Sequence, residues 1–272
     1  VTTTDTDLSR ELLNFEEISA EISDKGVLYI TLNMPARMNA LTYVMIREIR
    51  EALDVGRRDM SVRCVVLRGA GRGFCAGDNL KGMGEAGPEV DIMSRYLTYG
   101  YVSVVKAIRN LPKPVVASVH GPALGAGFEL SLAADFRVVA SNARMGLPFI
   151  KLALAGGTYQ LPRMIGLTKA VEMLMTAREL TGTEAGEWGI ATRVVDASDL
   201  AEATDELAER LAALPTRAMG YMKRAIYRAP QVDIDRGYEE AALNMVLVQS
   251  LEDRTEGKQA WLERRPPVFR GV

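Results

Sequence analysis

The chain has 272 residues, 48% of them hydrophobic and 25% charged, with a formal net charge of −2 at neutral pH. That is a globular composition, long enough for one sizeable domain and a smaller helical part. The balance of charge excludes a global attraction for nucleic acid or an anionic membrane surface, and no segment approaches the roughly 18 consecutive apolar residues of a membrane span. Two cysteines, Cys64 and Cys75, make neither a disulfide framework nor a zinc motif. No metal site is expected, and a reducing cytoplasm fits best.

Residues 1–14 are polar and acidic and lack the basic and apolar regions of a signal peptide, so a mobile tail is expected there. Phe15 to Ile22 and Val27 to Leu32 read as strands around an Asp24-Lys-Gly26 turn. Thr42 to Asp59 reads as a helix, with Met45, Ile49, Ala52 and Leu53 on one face. The strand Arg63–Arg68 follows, then a glycine-rich turn, a glycine-rich loop over Gly82–Pro88, and a helix from Ile92 to Asn110 that stops before Pro112. Next come the strand Val115–Val119, a second glycine-rich turn, a helix over Gly125–Ala134 and the strand Phe136–Ala140. Strands alternating with helices predict an α/β fold with parallel pairing. After residue 200 the pattern is helical only, over Leu200–Leu214, Thr216–Arg228, Ile234–Leu251 and Thr255–Arg264. A core domain over 15–199 and a helical region over 200–272 are expected on that change. The basic group Lys223, Arg224 and Arg228 reads as a solvated helix face.

The chemistry concentrates in the two turns. The first is Gly69-Ala-Gly-Arg-Gly-Phe-Cys-Ala-Gly-Asp-Asn-Leu-Lys81, the second Gly121-Pro-Ala-Leu-Gly-Ala-Gly-Phe-Glu-Leu130. Glycine permits φ > 0 and close approach of a ligand, and two such turns can aim two amide donors at one developing oxyanion. Glu129 is a lone carboxylate in an apolar stretch just beyond the second turn. It is a candidate for proton transfer, or else an exposed or ion-paired helix residue. Asp78 reads first as a turn former and second as a polar site group. His120 is the only histidine, more often a packed residue than a catalytic one, and no Gly-x-Ser-x-Gly elbow is present. Tyr96, Tyr99, Tyr101 and Tyr159 could reach a pocket, with packing the default. Gly71-Arg-Gly73-Phe-Cys-Ala76 fits a dinucleotide fingerprint, but the Gly82–Pro88 run leaves no room for its crossover helix.

Taken in order, Arg37-Met-Asn-Ala-Leu41, Gly73–Lys81, Lys113–Leu130, Ala134-Asp-Phe-Arg137, Ala155-Gly-Gly-Thr158, Leu180-Thr181 and Glu187-Trp-Gly-Ile190 resemble the crotonase (enoyl-CoA hydratase/isomerase) superfamily. The resemblance spans about Val27 to Arg265. It implies a crotonase-like spiral of ββα units with a C-terminal helical region, assembled as a homotrimer or a dimer of trimers. It implies a coenzyme A thioester as substrate and no permanently bound cofactor. By position, the backbone amides of Ala76 and Ala126 would form the oxyanion hole, with Glu129 as the acid/base. Ala40, Asp78 and Leu80 would border the adenine and pantetheine arm, and so would Trp261 and Arg264, from a neighbouring subunit. Family hydratases use a second glutamate that would fall at Phe149, and a phenyl ring transfers no proton. The resemblance therefore implies a hydratase/isomerase-like lyase in name, with isomerisation, decarboxylation or hydrolysis as alternatives. A non-catalytic acyl-CoA-binding protein is the rival from another class.

Overall fold

The computed structural model describes residues 15–80 and 91–272; the tail expected over 1–14 and the Gly82–Pro88 loop lie outside the described residues. Strands β1 (Ile18–Ile22) and β2 (Val27–Leu32) pair antiparallel around the Asp24-Lys-Gly26 turn. β2 then pairs parallel with β3 (Cys64–Gly69). β4 (Val115–Val119), β6 (Phe136–Ala140) and β9 (Arg193–Val195) continue the parallel sheet in the order β1-β2-β3-β4-β6-β9. A parallel sheet covered on both faces explains why β4 reads Val-Val-Ala-Ser-Val with all five residues buried. Three short strands, β5 (Pro122–Leu124), β7 (Arg144–Gly146) and β8 (Glu179–Thr181), make a second sheet in the order β5-β7-β8.

Helix α1 (Tyr43–Arg58) starts where the Thr42 hydroxyl accepts the Met45 N–H at 3.0 Å, and its buried face is the predicted Met45, Ile49, Ala52, Leu53 stripe. The helix expected over Ile92–Asn110 is instead divided. A helical turn at Ile92–Ser94 passes into a π-helical turn at Arg95–Tyr99, and α2 begins afresh at Tyr101 and runs to Asn110. Gly100 is extended, with ψ 179°, so the ladder breaks there and its carbonyl caps the new helix through Ser103. Helix α3 (Ala126–Ala133) is buried at all eight positions. Small helices α4 (Gln160–Ile165) and α5 (Leu167–Thr176) connect β7 to β8, and α6 (Gly182–Glu187) leads from β8 to β9.

Helix α7 (Leu200–Ala212) lies on the six-stranded sheet, with Leu200, Leu207, Ala208 and Leu211 in the main core. The helical region therefore begins with an element that covers the sheet. Helices α8 (Thr216–Arg228), α9 (Ile234–Val248) and α10 (Glu252–Glu263) follow. None of the described helices is long and apolar enough to cross a membrane.

Lys223 departs from the solvated face expected of it. It is buried, and its ammonium contacts Asp135 at 2.8 Å and donates to the carbonyls of Ile108 at 3.0 Å and Lys113 at 3.1 Å. Asp135 also accepts from the Val115 N–H at 2.8 Å and the Tyr227 hydroxyl at 2.7 Å. One ion pair thus fastens α8 to the end of α2 and the start of β4. Burial lowers the Lys223 pKa, so the pair stands only because every donor is used. Lys223→Met is expected to destabilise the fold by about 2–4 kcal/mol, since it leaves a largely buried carboxylate without its cation. Urea unfolding would read this as a lower midpoint at unchanged slope.

Candidate active site

The first turn is built on Asn39, a fully buried residue with φ +55°. Its side-chain amide donates to the carbonyls of Ala70 and Gly73 at 2.9 Å and Phe74 at 3.2 Å, while its oxygen accepts the Met34 N–H at 3.0 Å. The chain after it is laced to the second turn. The N–H of Phe74 donates to His120 O at 2.9 Å, that of Cys75 to Pro122 O at 3.1 Å, and that of Leu124 to Cys75 O at 2.9 Å. His120 is a strut rather than a reacting group: its Nε2 sits 2.9 Å from Gly71 O and ties the two turns side by side.

Two glycines make the close contact possible. Gly77 has φ +104°, and a carbon built on it would lie 3.0 Å from Leu124 O and 3.6 Å from Ala126 N. A carbon on Gly127 would come within 2.4 Å of Cys75 O, so the first turn of α3 presses on the first glycine turn. The tips of both turns therefore meet at Ala126.

The free amides follow from the pairing. Ala126 opens α3, so its N–H has no intrahelical acceptor, and it has none elsewhere among the described residues. Ala76, expected to supply the second donor, spends its N–H on Met38 O at 2.9 Å. Around it, Gly77 O accepts from Leu41 and the Asn79 N–H donates to Leu41 O, both at 2.8 Å. The peptide N–H of Asp78 between them points the opposite way and has no acceptor among the described residues.

Glu129 is the lone charge on the fully buried α3. Burial raises its pKa; the Tyr101 hydroxyl facing it favours the charged form, and the Asp78 carboxylate raises the value further. The Tyr101 hydroxyl is itself held well above its usual range by burial and by Glu129 and Asp78. Asp78 is pushed up to about 6 by burial, and its Oδ1 is buried with no hydrogen-bond partner among the described residues. Glu129, Asp78 and Tyr101 form one cluster beside the joined turns. Glu129 also lines a cavity of about 1170 Å³ with Val102, Val105, Tyr159 and Gln160 on its apolar side.

Of the remaining sequence-derived residues, Ala40 precedes Leu41 and so borders the Gly77–Asn79 segment, and Leu80 stands at its edge, 64% exposed. Phe149 lies on a 3₁₀ turn (Pro148–Leu152), its Cε1 3.7 Å from where a carbon on Gly125 would sit. Its ring thus walls the site beside Ala126. Trp261 is 84% exposed on α10 and lines a separate groove with Pro215, Val248 and Phe269, while Arg264 ends that helix; the chain itself brings neither to Glu129. Sequence reasoning left Tyr101 among four equivalent tyrosines. The helix break that singles it out is marked only by Gly100.

The family model described as enoyl-CoA hydratase/isomerase matches residues 23–272. The chain is 37% identical to the 1,2-epoxyphenylacetyl-CoA isomerase of Escherichia coli (strain K12), over 91% of this chain and 96% of that relative. It is 34% identical to the (E)-benzylidenesuccinyl-CoA hydratase of Thauera aromatica, over 94% and 99%. Among solved structures, the enoyl-CoA hydratase from Bacillus anthracis superposes with TM-score 0.87 at 35% identity, over 94% of this chain and 100% of that one. The chain belongs to the enoyl-CoA hydratase/isomerase family, the crotonase superfamily. It is an enzyme of that hydratase/isomerase type, acting on acyl-CoA thioesters.

Gly77→Ala tests the joined turns. The new methyl group meets Leu124 O in a left-handed backbone, so stability should fall by about 1–3 kcal/mol. Retention of wild-type thermal stability and acyl-CoA affinity would show that the turn tolerates a side chain.

Proposed function

We propose that this enzyme moves a proton within an unsaturated acyl-CoA, shifting a carbon–carbon double bond, in preference to adding water. The carrying observation is one buried carboxylate, Glu129, beside two unpartnered amides at joined turns, with Phe149 where a second glutamate would stand. The thioester oxygen accepts from the N–H groups of Asp78 and Ala126. This replaces the expected Ala76 amide, which Met38 already occupies. Glu129 takes a proton from the carbon next to the thioester, and its raised pKa suits it to that transfer near neutral pH. Fixed amides stabilise the resulting enolate oxygen without reorganising. The Phe149 ring leaves no acid on its wall to activate water and makes that wall apolar.

Ala40 and Leu80 border the pantetheine arm beside the first turn. Trp261 and Arg264 reach the coenzyme of a neighbouring subunit in a trimer or dimer of trimers. The exposed Ile234, Tyr238, Met245 and Val246 of α9, 74%, 72%, 62% and 68% accessible, support such an assembly. Two buried free thiols, Cys64 and Cys75, support a cytoplasmic setting.

Mass spectrometry and ultraviolet absorbance decide the reaction. A 3-enoyl-CoA is expected to become the conjugated 2-enoyl-CoA, and crotonyl-CoA to gain little or no water. Glu129→Gln should slow conjugation by about 100-fold or more. Efficient hydration of crotonyl-CoA would restore the hydratase reading, and binding of both thioesters without conversion would favour a non-catalytic role.

A further inference from the structure

We propose that the carboxyl group of Asp78 is the second proton-transfer group of this site, working across the acyl chain from Glu129. This rests on the acyl-CoA reading above and assigns the partner that Phe149 cannot be. The position follows from the backbone. Asp78 comes directly after Gly77, and its own N–H is one of the two free amides. A thioester oxygen held there brings the carbons attached to it within reach of the same residue's side chain.

The alternative, that Asp78 only shapes the turn, fails on its hydrogen bonds. Aspartates that cap helix ends in this chain accept backbone N–H groups: Asp59 from Ser61 at 2.8 Å, Asp91 from Ser94 at 3.0 Å and Asp233 from Arg236 at 2.9 Å. Asp78 accepts none among the described residues, and its buried Oδ1 has no partner among them either. A buried, unsatisfied carboxyl oxygen costs stability unless something fills its hydrogen-bonding capacity. The groups that face it are Glu129 from α3, Tyr101 from α2 and Cys75 of its own turn, and no cation among the described residues lowers its pKa. Two carboxyls in one apolar site separate into a base and an acid.

The step balances as a proton relay. Glu129 carboxylate removes a proton from C2 of a 3-enoyl-CoA. The C–H pair moves into a dienolate whose oxygen is held by the Asp78 and Ala126 amides. Protonated Asp78 gives its proton to C4, forming a C–H bond as its O–H bond breaks. The electron pairs shift to the 2,3 double bond and the thioester carbonyl. Glu129 ends protonated and Asp78 ionised, and proton exchange with water restores both.

The experiment compares wild type, Asp78→Asn, Asp78→Glu and Glu129→Gln acting on a 3-enoyl-CoA in deuterium oxide. Asp78→Asn keeps the backbone amide. It is expected to retain deuterium exchange into C2 of recovered substrate within about threefold while conjugation falls about 100-fold. Glu129→Gln should lose both, and Asp78→Glu should recover part of the conjugation. Wild-type conjugation should decline as pH rises through the titration of Asp78 near 6, and Asp78→Asn should lose that decline. Conjugation by Asp78→Asn within threefold of wild type, or exchange and conjugation lost together in that variant, overturns the proposal while leaving the acyl-CoA reading intact. A wild-type enzyme that neither exchanges nor conjugates overturns both.

Discussion

The site depends on one constraint, the lacing of two glycine turns that belong to neighbouring parallel strands. β3 and β4 deliver their turns to the same edge of the sheet, and the hydrogen bonds of Phe74, Cys75 and Leu124 hold them in register there. Parallel strands leave successive turns on the same side, so the topology itself places both amide donors together. Asn39 then closes the first turn from behind with three donated hydrogen bonds. Without that lacing, the free N–H groups of Asp78 and Ala126 would be ordinary turn amides. With it, on the proposed reading, they face one thioester oxygen, where fixed dipoles act most strongly.

That rigidity also explains how a carboxylate survives on a helix with no exposed residue. Glu129 sits in the first turn of α3, where the helix dipole favours negative charge, and the Tyr101 hydroxyl facing it favours the same form. Burial and Asp78 oppose both effects, and burial dominates. The net result is a carboxyl with a raised pKa rather than one locked in a salt bridge. The contrast with Asp135 is instructive. Asp135 is partly buried too, but Lys223, Tyr227 and the Val115 N–H saturate it, and its work is structural.

Much of this was legible in the sequence because it is local. Glycine spacing after β-branched runs marks both turns, and the isolated Glu129 is visible by contrast with its apolar neighbours. Helices α1 and α7 to α10 show in their periodicity or composition. What escaped is set by tertiary geometry. Strands β5, β7, β8 and β9 are three residues each, too short for an alternating pattern to register. The burial of Lys223 is decided by helix packing, which its basic neighbours conceal. The choice between the Ala76 and Asp78 amides turns on which faces Leu41 and Met38, and no spacing rule reports that.

The two departures from the family pattern fit together as a single rearrangement. An aromatic ring stands where a second acid is expected, and Asp78-Asn79 stands where the family more usually has a small residue followed by Asp. Phe149 and Asp78 lie on either side of the same pair of turns: Phe149 packs toward Gly125 at the entry to α3, and Asp78 follows Gly77 in the opposing turn. On the proposal above, the site keeps two carboxyls while the second addresses a different part of the acyl chain. A hydratase needs both acids around one water, whereas a double-bond shift needs them at different carbons of one chain. On that proposal, the geometry moves proton chemistry away from water and along the acyl group, with the amide pair at Asp78 and Ala126 unchanged.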